Sequence, residues 1–362
     1  MPSLRSILWS PITFIYSSVV RGRNWLFDNG YYKSIQFDLP VINVGNLSYG
    51  GTGKTPHIEY LIKLITPHFH VATLSRGYMR KTKGYFAATS KTTPEQVGDE
   101  PQLIKWKYPQ VGVSVGEDRV MAVPQLLADW PATEVLLLDD AFQHRAIDPG
   151  LNILLTDYNN LYTRDELIPA GSLREPIGGA ERAQFIVVTK CPPSITPLQK
   201  EAIRKELKPL PSQKLFFSYL QYGPAYYLLN PEQKLSQGPD MEIIMLAGIA
   251  NPQPLEEYLT PRFKKVHALE YPDHHAYTAN DAEAIVTGFN NLESTQKAII
   301  TTEKDAVRLH TYRQWFIERK IPIFVQPMQV EFFAEDKALF DREILNYLSR
   351  LRDLKNPPIL QP

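Results

Sequence analysis

The segment VINVGNLSYGGTGKTPHIEYLIKLI, residues 41–65, joins a short apolar run, a glycine-rich turn and an amphipathic stretch. This order predicts a strand, a loop and a helix. The loop closes on Gly-Lys-Thr at 53–55, the last three places of the phosphate-binding pattern G-x-x-x-x-G-K-[ST]. Ser48 stands where that pattern begins with glycine, but the glycine pair at 50–51 supplies the backbone freedom that such a turn requires.

Each residue type in this loop has a physical role in holding a triphosphate. Glycines let successive backbone N–H groups converge on one phosphate, and the following helix adds its N-terminal dipole. Lys54 is a point charge for the outer phosphates, and the Thr55 hydroxyl is a Mg²⁺ ligand. The alternative is a plain glycine turn beside a surface lysine. The predicted nucleotide-binding residues are Ser48, Tyr49, Gly50, Gly51, Thr52, Gly53, Lys54 and Thr55.

A second segment, VLLLDD at residues 135–140, is an apolar run that ends in Asp139 and Asp140. The carboxyl ends of parallel strands face the crevice where α/β proteins bind ligands. Carboxylates at such an end can hold Mg²⁺ directly or through water. We therefore predict a metal site formed by Thr55, Asp139 and Asp140; the alternative is that the two acids merely open a polar loop.

The nucleotide is predicted to be ATP because the guanine-specific signals are missing. A GTPase would end the strand FIVVTK, residues 185–190, in a motif with aspartate where Pro192 stands. A switch-type D-x-x-G is also absent, since Phe142 and Gln143 stand where its glycine would be needed.

Phosphoryl transfer to a hydroxyl needs a group that accepts the proton or aligns the oxygen. The candidates are Asp99 and Glu100 in VGDEP, and His274 and His275 in YPDHHAY. Each has an ordinary alternative, because acidic residues commonly cap helices and Asp-His clusters commonly form polar turns.

Composition excludes other classes of protein. The chain has 362 residues, with 39 basic and 39 acidic side chains. A nucleic-acid partner is not expected, because phosphate-polymer binding needs a basic surplus. The single cysteine, Cys191, rules out an intrachain disulfide framework and fits a reducing compartment.

Apolar, β-branched runs alternate with helical segments and predict an α/β fold whose parallel sheet carries the phosphate loop. A second, smaller α/β series follows an aromatic stretch around Gly223-Pro224, which reads as a hairpin or an interdomain strand pair. The predicted organisation is an N-terminal membrane-interface helix (1–33), a core domain (34–220), a C-terminal α/β domain (221–350) and a loose tail (351–362).

The N-terminus carries an uncharged run, residues 6–20, flanked by Arg5, Arg21 and Arg23. The run is shorter than the ~20 apolar residues of a spanning helix. Four basic side chains against one acid in residues 1–33 favour a helix lying on an anionic membrane surface. A helix packed on the core is the alternative. Ser10-Pro11 predicts its start and Asn29-Gly30 its end.

Several segments together resemble the tetraacyldisaccharide 4′-kinase family, the lipid A 4′-kinases of Gram-negative bacteria. They occur in the family's order and cover most of the chain. One departure is Ala141, where the family commonly has glycine in D-D-G-F-Q-H. The matching strings are GNLSYGGTGKTP (45–56), SRGY (75–78), VGDEP (97–101), LLLDDAFQHR (136–145), IPAGSLREP (168–176), YPDHHAY (271–277) and TEKDAVRL (302–309).

The resemblance implies Mg²⁺- and ATP-dependent phosphorylation of the 4′-hydroxyl of an acylated glucosamine disaccharide 1-phosphate. It implies that Asp99 is the base, that His274 supports it from the second domain, and that the two domains are joined by a strand-pair hinge. It also implies an enzyme at the cytoplasmic face of the inner membrane, peripheral or monotopic through its N-terminal segment. Weaker candidates for the substrate site are Arg76, Gln143, His144, Arg174 and Glu175.

Two other interpretations remain open from the residues alone. The first is a P-loop ATPase or metal-insertion chaperone acting on a protein partner, with His274, His275 and Cys191 as metal ligands, although their spacing matches no recognised ligand pattern. The second is a nucleotide-gated module at the membrane surface. No obligate protein partner is evident in the sequence.

Overall fold

Two sheets make up the fold of this computed structural model, which describes residues 4–236, 238 and 240–355. We call them the large sheet and the small sheet. The strands, in chain order, are β1 (Val41–Asn46), β2 (Val71–Ser75), β3 (Phe86–Ala87), β4 (Gly112–Val115), β5 (Val135–Asp139), β6 (Leu151–Asp157), β7 (Phe185–Thr189), β8 (Lys214–Tyr222), β9 (Tyr226–Tyr227), β10 (Asn230–Lys234), β11 (Glu242–Ala247), β12 (Lys265–Glu270), β13 (Lys297–Thr302), β14 (Ile323–Gln326) and β15 (Met328–Phe332).

Helices connect most of these strands and cover their faces. The α-helices, in chain order, are α1 (Leu4–Asp28), α2 (Lys54–Ile65), α3 (Pro94–Val97), α4 (Asp99–Lys107), α5 (Arg119–Asp129), α6 (Pro197–Leu207), α7 (Gln253–Leu259), α8 (Ala279–Asn290), α9 (Glu303–Leu309), α10 (Arg313–Glu318) and α11 (Ala334–Lys355). Single 3-10 turns lie at Tyr162–Arg164, Ile177–Arg182, Thr260–Arg262 and His310–Tyr312.

The large sheet has nine strands in the order β15-β8-β7-β6-β1-β5-β2-β4-β3. Its strands are parallel except for the two edge strands, β15 and β3, which run antiparallel to their neighbours. Strand β1 lies in the middle, between β5 and β6. The phosphate-loop segment therefore leaves the centre of the sheet, at the edge where the parallel strands end. The α/β fold predicted from the alternation of strands and helices is confirmed.

Burial explains why these runs form strands of a covered sheet. All six residues of β1 are buried, and so are all five of β5. Ile42 and Val44 pack with α2 on one face, whereas Val41 belongs to a separate cluster with Leu136 and Leu138 of β5. Apolar residues thus face both ways along one strand, as expected for a parallel sheet with helices on both sides.

The small sheet, in the order β10-β9-β14-β13-β11-β12, lies between β8 and β15 in the chain. The chain crosses between the sheets twice, and the two crossings touch: the Gly223 amide donates to the Pro327 carbonyl (3.0 Å), and the Gln326 side chain donates to the Gly223 carbonyl (2.5 Å). The aromatic stretch therefore does not form a hairpin with itself. Its first half, β8, pairs antiparallel with β15, which is the strand-pair alternative.

Sheet membership differs from the predicted boundaries at the C-terminus. Strand β15 returns to the large sheet, and α11 follows it with Phe340, Ile344 and Leu348 buried in the large sheet's core. These side chains recur every four residues, so one face of α11 is apolar and packs there. Residues 328–350 thus lie with the large sheet, and 351–355, predicted as loose tail, continue α11. Residues 356–362 lie outside the described part.

Helix α1 begins earlier than predicted. It includes Leu4 and runs through Pro11, which lies inside the helix instead of starting it. The predicted end is confirmed, since the helix stops at Asp28 and Gly30 adopts a positive φ of 74°. Within residues 4–236, 238 and 240–355, no helix has both the length and the apolarity that crossing a bilayer requires.

Candidate active site

The phosphate loop turns out of β1 and is held open by its glycines. Gly50 has φ 109° and Gly53 has φ 87°, values that side-chain-bearing residues rarely adopt. Gly53 is the N-cap of α2, so the first amides of that helix face the loop without intrahelical acceptors. Backbone N–H groups and a helix dipole converge here, which is the arrangement that binds phosphate.

A neighbouring segment supports the outer side of the loop. Ser48 forms an isolated antiparallel bridge with Leu173, and the Tyr49 amide donates to the Ser172 carbonyl (2.8 Å). The Arg174 amide donates to the Leu47 carbonyl (2.7 Å). The string IPAGSLREP thus lies against the string GNLSYGGTGKTP, and Arg174 is placed beside the loop.

Arg174 and Lys54 together surround Asp140. The Arg174 guanidinium donates to both carboxylate oxygens of Asp140 (2.7 and 3.1 Å), and Lys54 Nζ lies 3.7 Å from Asp140 Oδ2. Both cations also donate to Asn46 Oδ1, at 3.2 Å for Lys54 and 2.5 Å for Arg174. Burial acts to raise the pKa of Asp140, but Lys54 and Arg174 outweigh it and lower that pKa.

Asp139 ends β5 in a different environment. Its side chain is buried, and burial raises its pKa to about 7, with a further rise from Asp140 and an opposing effect of Lys54. Its Oδ1 atom is buried without a hydrogen-bond partner among the described residues, as is the Thr52 hydroxyl. A buried carboxylate oxygen without a partner, next to the phosphate loop, fits a divalent cation. The residues present therefore fit the Mg²⁺ that the sequence predicts.

A strained turn accompanies this acidic pair. Asp140 has φ 55°, which is uncommon outside glycine and concentrates at functional sites. Ala141, the departure from the family pattern, is not among the described residues of positive φ. The glycine that the family commonly has there is thus not needed for the backbone of this loop.

Asp99 begins α4 and meets two residues from the part of the chain that forms the small sheet, His274 in the turn after β12 and Arg308 in α9. Its Oδ2 atom accepts from His274 Nδ1 (2.9 Å) and from Arg308 Nε and Nη2 (2.9 and 2.5 Å). Burial acts to raise the pKa of Asp99, but the bonds from His274 and Arg308 lower it to about 2. The hydrogen bond between His274 and Asp99 raises the pKa of His274. The backbone of His274 is also strained, with φ 58°.

The cluster TEKDAVRL explains why Arg308 points at Asp99. Thr302 caps α9, and the fully buried Asp305 accepts from Thr302, from the Gly248 amide (3.0 Å) and from Arg308 Nη1 (3.0 Å). This network aims the rest of the Arg308 guanidinium across the boundary between the sheets. A polar network satisfied in this way holds a side chain in one geometry.

Glu100, the next residue of α4, accepts a hydrogen bond from Lys304 of α9 (2.5 Å). A second ion pair therefore joins the two parts of the chain that form the sheets. Glu100 also raises the pKa of Asp139, and Lys304 lowers it. The Asp99 cluster and the acidic end of β5 are therefore within electrostatic range of each other. Glu100 is tied to Lys304 and not left free as a base.

The remaining sequence candidates form a flank of the site around Asn46, Asp140 and Arg119. Gln143 donates to Glu175 Oε1 (2.8 Å), and Arg182 also pairs with Glu175. Arg119, which is buried, donates to the Asp140 carbonyl (3.4 Å) without a carboxylate partner in the described part of the chain. Burial, reinforced by Arg76, lowers the pKa of Arg119 to about 10, and burial with Arg119 lowers that of His144. Polar atoms here that are buried without a partner among the described residues are Arg119 Nε, Gln143 Oε1, His144 Nε2 and Arg174 Nε.

Comparison with known proteins identifies the family. A family model described as tetraacyldisaccharide-1-P 4′-kinase matches residues 5–349. A curated tetraacyldisaccharide 4′-kinase from Phocaeicola vulgatus is 43% identical over 345 residues, 94% of each chain. Another, from Flavobacterium johnsoniae, is 44% identical over 348 residues, 96% of this chain and 98% of that one. A crystal structure described as the "apo" form of LpxK from Aquifex aeolicus in complex with ATP matches with a TM-score of 0.73 and 28% identity, covering 95% of this chain and 99% of that one.

The chain belongs to the tetraacyldisaccharide 4′-kinase family. The predicted family, the P-loop kinase fold and the ATP-dependent 4′-phosphorylation of a lipid A precursor are thereby confirmed. ATP and Mg²⁺ are the cofactors of this kinase. The metal-chaperone alternative is not favoured: Cys191 is buried with its pKa raised to about 12 by burial, and no metal-binding cluster of His, Cys, Asp and Glu occurs in the described residues.

Three residues that lie beside the predicted site residues were not singled out from the sequence. Arg308 and Lys304 lie in a string that was recognised, but nothing in the string shows which way they point. Arg119 follows β4 in no recognised motif, and only its burial without an acidic partner singles it out. The roles of the predicted site residues stay predictions.

Proposed function

We propose that Asp99 orients the acceptor hydroxyl and takes its proton as the phosphoryl group is transferred. The observation that carries this proposal is the convergence of His274 and Arg308 on Oδ2 of Asp99. Because His274 and Arg308 both bind Oδ2, the other oxygen of the carboxylate, Oδ1, would accept the hydrogen bond of the acceptor hydroxyl. A pKa of about 2 makes Asp99 a weak base, but phosphoryl transfer depends mostly on positioning and charge stabilisation.

The phosphate loop, in this proposal, binds the triphosphate, with Lys54 on the outer phosphates. Thr55, Asp139 and Asp140 would hold Mg²⁺, which neutralises charge on the phosphates when bound. Arg174 and Lys54, which balance Asp140 in this structure, would both be drawn toward the triphosphate.

We place the phosphate already on the acceptor near Arg119, Arg76 and His144. The buried guanidinium of Arg119 forms no ion pair among the described residues, although Asp140 is near enough to oppose the lowering of its pKa by burial. Its Nε atom is buried without a hydrogen-bond partner in that part of the chain. Gln143, which is held by the buried Glu175, would contact the sugar. A disaccharide 1-phosphate fits this flank because it supplies an anion and hydroxyls together.

Helix α1 would bring the kinase to its lipid. Its outer side exposes apolar residues, among them Phe14 (73% exposed) and Ile15 (63%). Its inner side reaches the site, because Tyr16 donates to the Arg174 carbonyl (2.6 Å) and Arg23 to that of Gln143 (2.9 Å). An apolar face in the interfacial region would place the site at the cytoplasmic surface of the inner membrane.

We further propose that each sheet is the centre of one domain. The core domain would contain residues 34–222 and 328–355, and the second domain residues 223–327. The touching crossings at Gly223 and Pro327 support a hinge at this point. Closure of the domains would form the contacts of His274 and Arg308 with Asp99 that this structure has, next to the acceptor, and exclude water.

The decisive experiment follows labelled phosphate from ATP to a disaccharide monophosphate lipid, separated by thin-layer chromatography. Asp99→Ala and Lys54→Ala should each reduce transfer on the order of a hundredfold or more. Lys214→Ala, which breaks the remote pair Lys214–Glu343 (2.6 Å), is the control. Near-normal transfer by Asp99→Ala with ATP bound would remove Asp99 from this role.

A further inference from the structure

His57 is a buried histidine that the proposed catalytic roles do not use. It lies one turn into α2, is 3% exposed, and packs its ring edge-on against Phe332 of β15. Its Nδ1 atom lies 2.7 Å from the Gly53 carbonyl oxygen, and its Nε2 atom 3.1 Å from the Ser218 hydroxyl. Both ring nitrogens are therefore engaged, one by the phosphate loop and one by strand β8.

The partners fix the tautomer of this ring. A carbonyl oxygen only accepts, so Nδ1 carries the proton and donates to Gly53. Nε2 of the neutral ring then accepts from the Ser218 hydroxyl. Burial lowers the pKa of His57 to about 4, so the ring is neutral at physiological pH.

The Gly53 carbonyl accepts twice from the same residue. The His57 amide donates to it at 3.2 Å, the first helical bond of α2, and the ring donates at 2.7 Å. The preceding carbonyl is held as well, because the fully buried Thr189 at the end of β7 donates its hydroxyl to the Thr52 carbonyl (2.9 Å). Two successive carbonyls of the loop are thus bound from the side of the sheet.

Because peptide groups are planar, these two hydrogen bonds also fix the directions of the N–H groups on the opposite side of the loop. In a trans peptide, the N–H of the next residue points away from the carbonyl. Fixing the Thr52 and Gly53 carbonyls therefore fixes the directions of the Gly53 and Lys54 N–H groups. These amides open α2 and have no intrahelical acceptors, so they are available to phosphate.

We propose that His57 and Thr189 are positioning residues that aim the Gly53 and Lys54 amides at the nucleotide's phosphates. They would contact neither ATP nor the acceptor. They act through the Thr52–Gly53 and Gly53–Lys54 peptide groups, whose carbonyls they bind. Glycine at 53 needs this support, since its left-handed backbone (φ 87°, ψ 26°) has no side chain of its own to restrain it. The inference rests on the proposed nucleotide site.

Substitutions at His57 separate its two contacts. The amide nitrogen of His57→Asn falls near the position of Nδ1, whereas the end of His57→Gln falls near Nε2, and His57→Phe keeps the ring without nitrogens. The readouts are the Kd of a fluorescent ATP analogue, KM for ATP and KM for the acceptor. We expect His57→Asn to retain most of the affinity for ATP, and His57→Gln and His57→Phe to weaken it roughly tenfold, with KM for the acceptor unchanged.

Thermal melting of the His57 variants distinguishes positioning from stability. Asn and Gln each keep one of two hydrogen bonds, so similar melting temperatures with unequal ATP affinities support the proposal. Equal loss in Asn and Gln, or normal ATP binding by all three variants, would overturn it.

Thr189 gives an independent test should a His57 variant fail to fold. Thr189→Ser keeps the hydroxyl and should bind ATP nearly as well as the natural protein, whereas Thr189→Val should bind several-fold more weakly. Equal affinities would refute the Thr189 half. Lys54→Ala serves as the reference: if it binds ATP normally, the nucleotide site itself is misplaced, whereas loss in Lys54→Ala alone leaves that site standing and removes only the positioning roles.

Discussion

Arg308 and Asp99, 209 residues apart in the chain, meet where the two sheets meet, with two guanidinium nitrogens on a single carboxylate oxygen. This contact joins the helix that begins with Asp99 to the helix that ends near Arg308. It has an electrostatic consequence as well, since it lowers the pKa of Asp99 against the effect of burial. The position and the basicity of Asp99 therefore both depend on the approach of the small sheet.

Replacing Arg308 should change the pH dependence of the kinase. With the guanidinium gone in Arg308→Met, burial raises the pKa of Asp99 above its present value of about 2. The acid limb of kcat/KM should then move to higher pH, and kcat should fall on the order of tenfold or more. Arg308→Lys keeps the charge and should shift the limb less. Superimposable pH profiles for the two variants would contradict this electrostatic role.

The concentration of Mg²⁺ that half-saturates the kinase should rise as the pH falls below about 7. Burial raises the pKa of Asp139 to about 7, so below that pH a proton competes with the cation for this carboxylate. Half-saturating Mg²⁺ should rise up to about tenfold per pH unit below 7, measured at constant ATP. Asp139→Asn should bind Mg²⁺ weakly at every pH, with a flatter dependence. An equally steep dependence in that variant would assign the proton to another group.

The stability of the metal-free protein should show the same titration. Because the folded pKa of Asp139 is raised, its contribution is fully present below the unfolded value of about 3.9 and is lost as the pH rises through 7. Asp139→Asn lacks this loss. Its free energy of unfolding in urea should therefore increase relative to that of the natural protein between pH 5 and pH 8. A constant difference would show that Asp139 stays ionised throughout.

Lys107 of α4 contacts Glu59 of α2 and lies 2.6 Å from Glu303 of α9, so it ties three helices together. In Glu303→Gln the ion pair of Lys107 with Glu59 remains, between α4 and α2, but the ion pair with α9 is lost. In Glu59→Gln the ion pair of Lys107 with Glu303 of α9 remains. We expect several-fold lower kcat and greater opening in small-angle scattering for Glu303→Gln only. Lys107→Met strands two buried carboxylates and should destabilise the protein by about 3 kcal/mol. Equal effects of the two glutamine variants would argue against a role in closure.

Membrane binding should depend on the outer side of α1. Deletion of residues 1–23 would also remove the contacts of Tyr16 and Arg23 with the site, so point changes are the cleaner test. Phe14→Ser with Ile15→Ser should weaken flotation with anionic vesicles at least tenfold and retain activity on detergent-dispersed acceptor. Leu198→Ser, which alters an 80% exposed leucine elsewhere, is the control. Unchanged flotation of the double variant would place the membrane contact on another surface.

Local patterns in the sequence carried much of this fold. The strands β1 and β5 are mostly apolar and end in polar residues, so both the strand and its chemically active end could be predicted. The meeting of Asp99 with His274 could not be derived from the residues, because it depends on how two sheets face each other. The family resemblance supplied that pairing, but it gave no role to Arg308, whose direction is set by the Asp305 network.

Two predictions differed from the structure, and in the second a distant part of the chain decided the outcome. Pro11 reads as a helix start, yet α1 begins before it. Strand β15 follows the small sheet in the chain, but Val330 and Phe332 find their apolar partners in the core of the large sheet. Sequence order suggests a C-terminal domain that continues to residue 350. Burial of Val330 and Phe332 instead places β15 with the large sheet, whose other strands come from the first part of the chain.

The return of β15 affects how the protein is made. Phe332 packs against Tyr60 and His57 of α2, the helix that follows the phosphate loop, so this helix is supported by β15, the last of the described strands to be synthesised. In a nascent chain that has emerged only as far as the small sheet, β8 lacks its partner strand β15. Helix α2 then also lacks its contacts with Phe332. We expect such fragments to lack ATP turnover, so activity requires that synthesis has passed β15.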